Sequence, residues 1–192
     1  MLAGDESVRD VVMGRRAPAF DEPTGETFVD NNPAQDRAVE RAVTARDCAL
    51  IHGPPGTGKT HTIARTVRAL VDRGERVLLA AFTNRAVDNA LAALREQGFE
   101  DALRVGTETG VRPDMRDLRL DPRGDPDERA ATLRGAPVVA ATTATCGSRT
   151  PRGPTFHVAG GGAVPPPTPP RALEGDAGPA RAVARRTGRR DA

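Results

Sequence analysis

The sequence predicts an α/β domain built on a parallel sheet. Three observations carry that prediction. Short apolar runs at Cys48–His52, Val77–Ala81 and 138–141 have the length of buried strands. The segments between them place apolar residues at helical spacing. A glycine-rich octapeptide, residues 53–60, joins the first run to the first long helix. The resulting order, strand–helix–strand–helix–helix–strand, is the one that parallel strands with right-handed crossovers require.

At 192 residues the chain has room for one domain of ordinary size. Hydrophobic residues make up 38% and aromatics 3%, with no Trp or Tyr. The core must therefore be built from Ala, Val and Leu. A net charge of +2 selects no class of partner, but its distribution is uneven. Residues 1–146 carry 20 Lys and Arg against 23 Asp and Glu, whereas residues 147–192 carry 8 Arg against 3 acids. Of the 28 basic residues only Lys59 is a lysine, so that position requires an ammonium group in a chain otherwise biased to Arg.

Cys48 and Cys146 are far apart and match no metal-ligand spacing. They read as the reduced thiols of a cytoplasmic protein, with no disulfide partner. No run approaches the ~18 apolar residues of a membrane span. The N-terminus is acidic and lacks the apolar core of a signal peptide.

Residues 1–30 are polar and read as a lead-in, or as the end of an upstream domain. Asn32 and Pro33 mark a helix start, as N-cap and first helical residue. That helix is expected to reach about Arg46 and to bury Ala38, Val39, Ala42 and Val43. After the strand Cys48–His52, a second helix places Ile63, Val67, Leu70 and Val71 on one face and ends at Gly74. Val77–Ala81 is a buried strand, Thr83 and Asn84 a loop. The next helix buries Val87, Leu91 and Leu94 and stops near Gly98. A short strand is expected at 103–105, a polar loop over 106–124, and a helix opened by Asp125, Pro126 and Glu128. The last strand is 138–141.

The octapeptide Gly53-Pro54-Pro55-Gly56-Thr57-Gly58-Lys59-Thr60 fits the phosphate-binding pattern G-x-x-x-x-G-K-[ST]. Its glycines let the backbone curl until several N–H groups face phosphate oxygens. The helix that follows adds its positive N-terminal end. Lys59 is a compact charge for the β- and γ-phosphates, and the Thr60 hydroxyl is a ligand for Mg²⁺. The expected ligand is ATP with Mg²⁺, held by residues 53–60 with the neighbouring His61 at the rim. This loop alone names no family, because AAA+ ATPases and other P-loop proteins share it.

Two flanking stretches narrow the choice. Asn32-Pro33-Ala34-Gln35 places Gln35 18 residues before Gly53, and a carboxamide can bond adenine through N6 and N7. The competing reading of Gln35 is an ordinary helix-surface glutamine. The second stretch is the strand 77–81, which runs into Phe82-Thr83-Asn84-Arg85 and a helix. Ligands of open parallel sheets bind beyond the carboxyl ends of strands, so Thr83, Asn84 and the helix N-terminus are placed to grip a nucleic-acid phosphate. The competing reading is an ordinary strand–loop–helix with capping polar residues.

Together these stretches resemble superfamily 1 helicases of the up-frameshift type, the group that includes the replication helicase–nucleases (Dna-two/NAM-seven type). N-x-x-Q-x-x-A-V at 32–39 resembles the Q motif of that family, GPPGTGKTHT its motif I and AFTNRAVDNAL its motif Ia. VVAATTATC at 138–146 resembles its motif Ic. The resemblance spans about residues 31–147 and implies a partial RecA-like P-loop NTPase domain. It implies ATP-driven 5′-to-3′ movement on single-stranded nucleic acid, DNA before RNA, in replication and repair. By resemblance Gln35 reads adenine, Lys59 and Thr60 serve hydrolysis, and Thr83, Asn84, Arg85 and Thr143 touch the nucleic-acid backbone.

The family pattern stops near residue 146. No Asp-Glu pair follows to bind Mg²⁺ and activate water, and the second RecA-like domain is not in the sequence. Alone, the chain is expected to be neither an efficient ATPase nor a helicase. Residues 148–192 are rich in Pro, Gly and Arg, with PPPTPP at 165–170, and are expected to lack regular structure. A change of reading frame between about Ser148 and His157 would give this composition. The alternative is a natural basic tail that binds phosphates.

Overall fold

A computed structural model describes residues 10–11, 13–148, 158–162 and 181–186. Helix α1 is Pro33–Val43, β1 is Cys48–His52, α2 is Lys59–Val71 and β2 is Val77–Ala81. Then come α3 at Asn84–Glu96, β3 at Ala102–Val105, a 3-10 helix at Pro113–Leu118 and α4 at Pro126–Gly135. Strand β4 is Val138–Thr142, α5 is Thr143–Ser148, β5 is Val158–Gly162 and β6 is Arg181–Arg186.

Local chemistry sets the boundaries. The Asn32 side chain accepts from the Gln35 amide at 3.2 Å and caps α1, with Pro33 opening it. Helix α1 ends at Val43, earlier than expected. The next residues turn away, and Ala45 pairs with Phe20 in an isolated antiparallel bridge. Gly74 and Gly98 take positive φ just past α2 and α3, the conformation that closes a helix at least cost for glycine. Asp125 accepts from the amides of Asp127 and Glu128 and caps α4. The loop expected at 106–124 contains the 3-10 helix, whose Met115 is buried. After β4, the residues of Thr143–Ser148 form the short helix α5.

The sheet runs β1-β6-β5-β2-β4-β3. Strands β5, β2, β4 and β3 are mutually parallel, with Val77 opposite Val138 and Ala102 opposite Val138. Strand β6 is antiparallel to both β5 and β1, so β1 points the same way as β2. This is the expected α/β architecture with a parallel sheet. Helix α1 packs on α2, α2 on α3, and α2 and α3 on the sheet. The core between these layers is aliphatic: Val39, Val67, Leu70, Val77, Leu79, Val87, Leu91, Leu94 and Val138 are buried. In β2 burial alternates, while β4 is buried throughout, as suits a strand with neighbours on both edges.

Two stretches of the tail differ from the expectation of no regular structure. β5 and β6 contain none of the tail's prolines, which cluster between and around them, so both can join a ladder. They fill a gap two strands wide between β1 and β2. The remainder of that tail lies outside the described residues. Among the described residues no helix is long and apolar enough to cross a membrane.

Candidate nucleotide and nucleic-acid site

The phosphate loop leaves the carboxyl end of β1 and enters α2. Gly56 and Gly58 have φ of 81° and 76°, a region that L side chains rarely adopt. Gly58 is also the N-cap of α2, with no side-chain cap, and the first turn of α2 carries no acid. This helix end is therefore ready for an anion. Lys59 reaches back over the loop, and its Nζ donates to the carbonyls of Gly53 at 2.7 Å and Pro54 at 2.6 Å. The Thr57 hydroxyl donates to the Pro54 carbonyl at 2.8 Å. Pro54, Pro55, Thr57, Thr60 and His61 are exposed at the rim.

Gln35 joins this loop from α1, although 22 residues separate it from Thr57. Its Nε2 donates to the Thr57 carbonyl at 3.0 Å. The contact is so close that a Cβ on Gly58 would sit 2.5 Å from that nitrogen. Gly58 thus meets two demands, a positive φ and the approach of Gln35. The structure brings Gln35 and the loop together as one cluster.

The second cluster lies beyond β2. Thr83 has extended backbone and its hydroxyl accepts from the Ala86 amide at 3.2 Å, capping α3. Asn84 and Arg85 open the helix and are exposed. Thr143 follows β4 and is exposed as well. Because Ala81 pairs with Thr142 in parallel register, the Thr83 turn and Thr143 leave neighbouring strands on one edge of the sheet. Strand β1 points the same way, so the phosphate loop leaves from that edge too.

Some contributors were invisible in the sequence pattern. Arg104 on β3 is fully buried. Its Nε donates to Asp88 Oδ1 at 2.8 Å, its Nη1 to the Val105 carbonyl at 2.6 Å and its Nη2 to Asn84 Oδ1 at 2.8 Å. Asp88, also buried, accepts from the Arg112 amide at 3.0 Å through Oδ2. The signal that could have found this pair is an Asp on the apolar side of α3 and an Arg in the middle of an apolar strand. Phe82 is the other omission. It is 62% exposed beside Thr83, an aromatic face on the same edge.

Arg112, Asp114 and Cys146 show shifted titration. The Arg112 side chain hydrogen-bonds Asp114, which holds that carboxyl below its ordinary value and raises the guanidinium. Burial pushes the Cys146 thiol up. Neither cysteine is in a disulfide. Among the described residues no group of three or more His, Cys, Asp and Glu is placed to hold a metal. The Thr60 hydroxyl would fit Mg²⁺ that arrives with phosphates and water rather than one held in a protein-built cage.

Comparison with known proteins decides the family. A model described as an AAA domain matches residues 30–126, half of the chain. The chain belongs to this family. It is 48% identical over 86 residues to the DNA replication ATP-dependent helicase/nuclease JHS1 of Arabidopsis thaliana, covering 45% of this chain and 6% of that protein. It is 36% identical over 119 residues to the DNA replication ATP-dependent helicase/nuclease DNA2 of Saccharomyces cerevisiae, covering 58% and 8%. The DNA polymerase alpha-associated DNA helicase A of Schizosaccharomyces pombe is 36% identical over 104 residues, covering 54% and 16%. The chain thus spans a small fraction of these relatives, and the similarity to superfamily 1 helicases holds over its N-terminal part.

Proposed function

We infer that this chain is an ATP-binding segment of a DNA helicase motor, with a nucleotide site at residues 53–60 and a single-strand grip at Thr83–Arg85 and Thr143. The observation that carries the reading is the join of Gln35 to the phosphate loop through the Thr57 carbonyl, beside the uncapped start of α2. In this reading the loop amides and the end of α2 receive the phosphates. Lys59 exchanges its carbonyl partners for the β- and γ-phosphates, and Thr60 contributes its hydroxyl to Mg²⁺. Magnesium, when bound, neutralises charge on the phosphates. Gln35 keeps one N–H on Thr57 and offers its second N–H and its oxygen to adenine N7 and N6. At the other cluster, Phe82 offers a stacking face for a base, and the start of α3 faces the phosphates.

ATP turnover by this chain alone is expected to be slow, since Thr60 has no acidic cluster beside it among the described residues. Titration with a fluorescent ATP analogue in Mg²⁺ tests the nucleotide site. Saturable binding is expected, weakened roughly ten- to hundredfold by Lys59→Ala, the effect of losing a hydrogen bond to a charged group. Equal binding by the chain and its Lys59→Ala variant would refute the site.

A further inference from the structure

We propose that Arg104 is a positioning residue for single-strand binding: it fixes the Asn84 amide so that the NH₂ end, and not the oxygen, is presented to a phosphate. The proposal rests on reading the Thr83–Arg85 turn as a nucleic-acid grip.

Three observations combine. The first is the cost of Arg104 itself. It has no exposed surface, yet the other residues of its strand, Ala102, Leu103 and Val105, are all apolar. Apolar replacements of buried ion pairs are often neutral or stabilising, so such a pair is a weak stabilising device but a strong geometric one. Its guanidinium is spent on three acceptors on two elements: its neighbour's carbonyl at Val105 in β3, and both Asp88 and Asn84 in α3, the latter at its exposed start.

The second is the polarity of the Asn84 contact. A guanidinium carries donors only, so the atom facing Nη2 must be the carboxamide oxygen. A flipped amide would set N–H against N–H. Arg104 therefore determines which end of Asn84 is left for another partner. That end is the donor Nδ2 beside Gly110, which suits a phosphate oxygen.

The third is Gly110. Its φ is not in the left-handed region, so a side chain would be conformationally allowed there. But a Cβ at Gly110 would sit 2.8 Å from Asn84 Nδ2 and 2.8 Å from Thr107 Oγ1. The glycine leaves room for the NH₂ end. The loop carrying it is tied down by the Arg112 amide on Asp88, the same carboxylate that Arg104 uses. One buried pair thus sets both the amide and the loop beside it.

The test is fluorescence anisotropy of a short fluorescein-labelled oligothymidylate with the full chain and four variants. Asn84→Ala removes the donor. Arg104→Lys keeps a charge for Asp88 but cannot also reach Asn84. Gly110→Ala leaves Arg104 intact and displaces only side-chain ends, so it should fold. Each is expected to raise the Kd by roughly three- to tenfold, about one ordinary hydrogen bond. Asn84→Ala combined with Arg104→Lys should be no weaker than Asn84→Ala alone, because both act through one amide. A merely structural role predicts otherwise. Arg104→Lys would then weaken binding by the same factor in the Asn84→Ala background, or Gly110→Ala would bind as the unsubstituted chain does. Either result overturns the proposal while leaving the grip in place. No binding by the unsubstituted chain would overturn the grip, and the role of Arg104 with it.

Discussion

The phosphate loop and the turn after β2 leave the same edge of one sheet, yet they are held in different ways. The loop is fixed by backbone conformation and by contacts at its surface: two glycines at positive φ, Lys59 on two carbonyls and Gln35 on a third. Its side chains are largely exposed. The turn is fixed from below, by the buried Arg104–Asp88 pair at the centre of its polar contacts. The difference suits what each would bind. A nest of amides must be free to close around a small anion, whereas a grip on a long strand needs a fixed register with the sheet. Local conformation with one contact from α1 makes the first, and buried packing makes the second.

The sharpest way to break this contrast is Asp88→Ala. It leaves the Arg104 charge buried without its partner, and the chain should lose about 3–5 kcal/mol of stability, read as a lower denaturant midpoint. A loss below ~1 kcal/mol would mean that the pair does not anchor the turn. Gly58→Ala attacks the other region. It forces an L side chain to positive φ, at a cost of roughly 1–2 kcal/mol, and drives a Cβ into Gln35. ATP-analogue binding should fall while oligonucleotide binding holds, and a parallel loss of both would show the regions to be coupled.

Smaller effects sharpen the picture. Thr83→Ala removes the N-cap of α3 and should cost about 1 kcal/mol, measured by thermal unfolding. Asp114 gives the smallest effect. Its hydrogen bond from Arg112 lowers its folded pKa, so its contribution is present above the ordinary Asp range and is lost as pH falls through the folded value. Asp114 is exposed, so Asp114→Asn should shift the melting temperature slightly at pH 7 and not at all at the acid end of the titration. A larger gap at low pH than at neutral pH would reverse the sign of this account.

Much of the fold was legible because its signals are local. The apolar runs at β1, β2 and β4, the Asn32 and Asp125 caps and the stop at Gly98 lie where their residues place them. Helix α1 stops short of Arg46 because Ala45 is drawn into a bridge with Phe20, a contact that no pattern within 33–46 contains. The 3-10 helix was missed because its one buried residue, Met115, gives no periodicity. β5 and β6 were missed because the composition of the whole tail obscured two proline-free stretches within it. Site residues followed the same division. Gln35 and residues 53–60 form one cluster, and Thr83, Asn84, Arg85 and Thr143 share one edge, whereas Arg104, Asp88 and Gly110 gave no motif to read.

The sequence alone determined the α/β class and the glycine turn between β1 and α2. Positive-φ glycines, caps and strand length are properties of a few adjacent residues, so they can be read where they stand. The tertiary structure decided which way the Asn84 amide faces and how Gln35 meets the loop. Those depend on donors brought from 20 and 22 residues away, and only packing of the helices on the sheet sets distances between such groups.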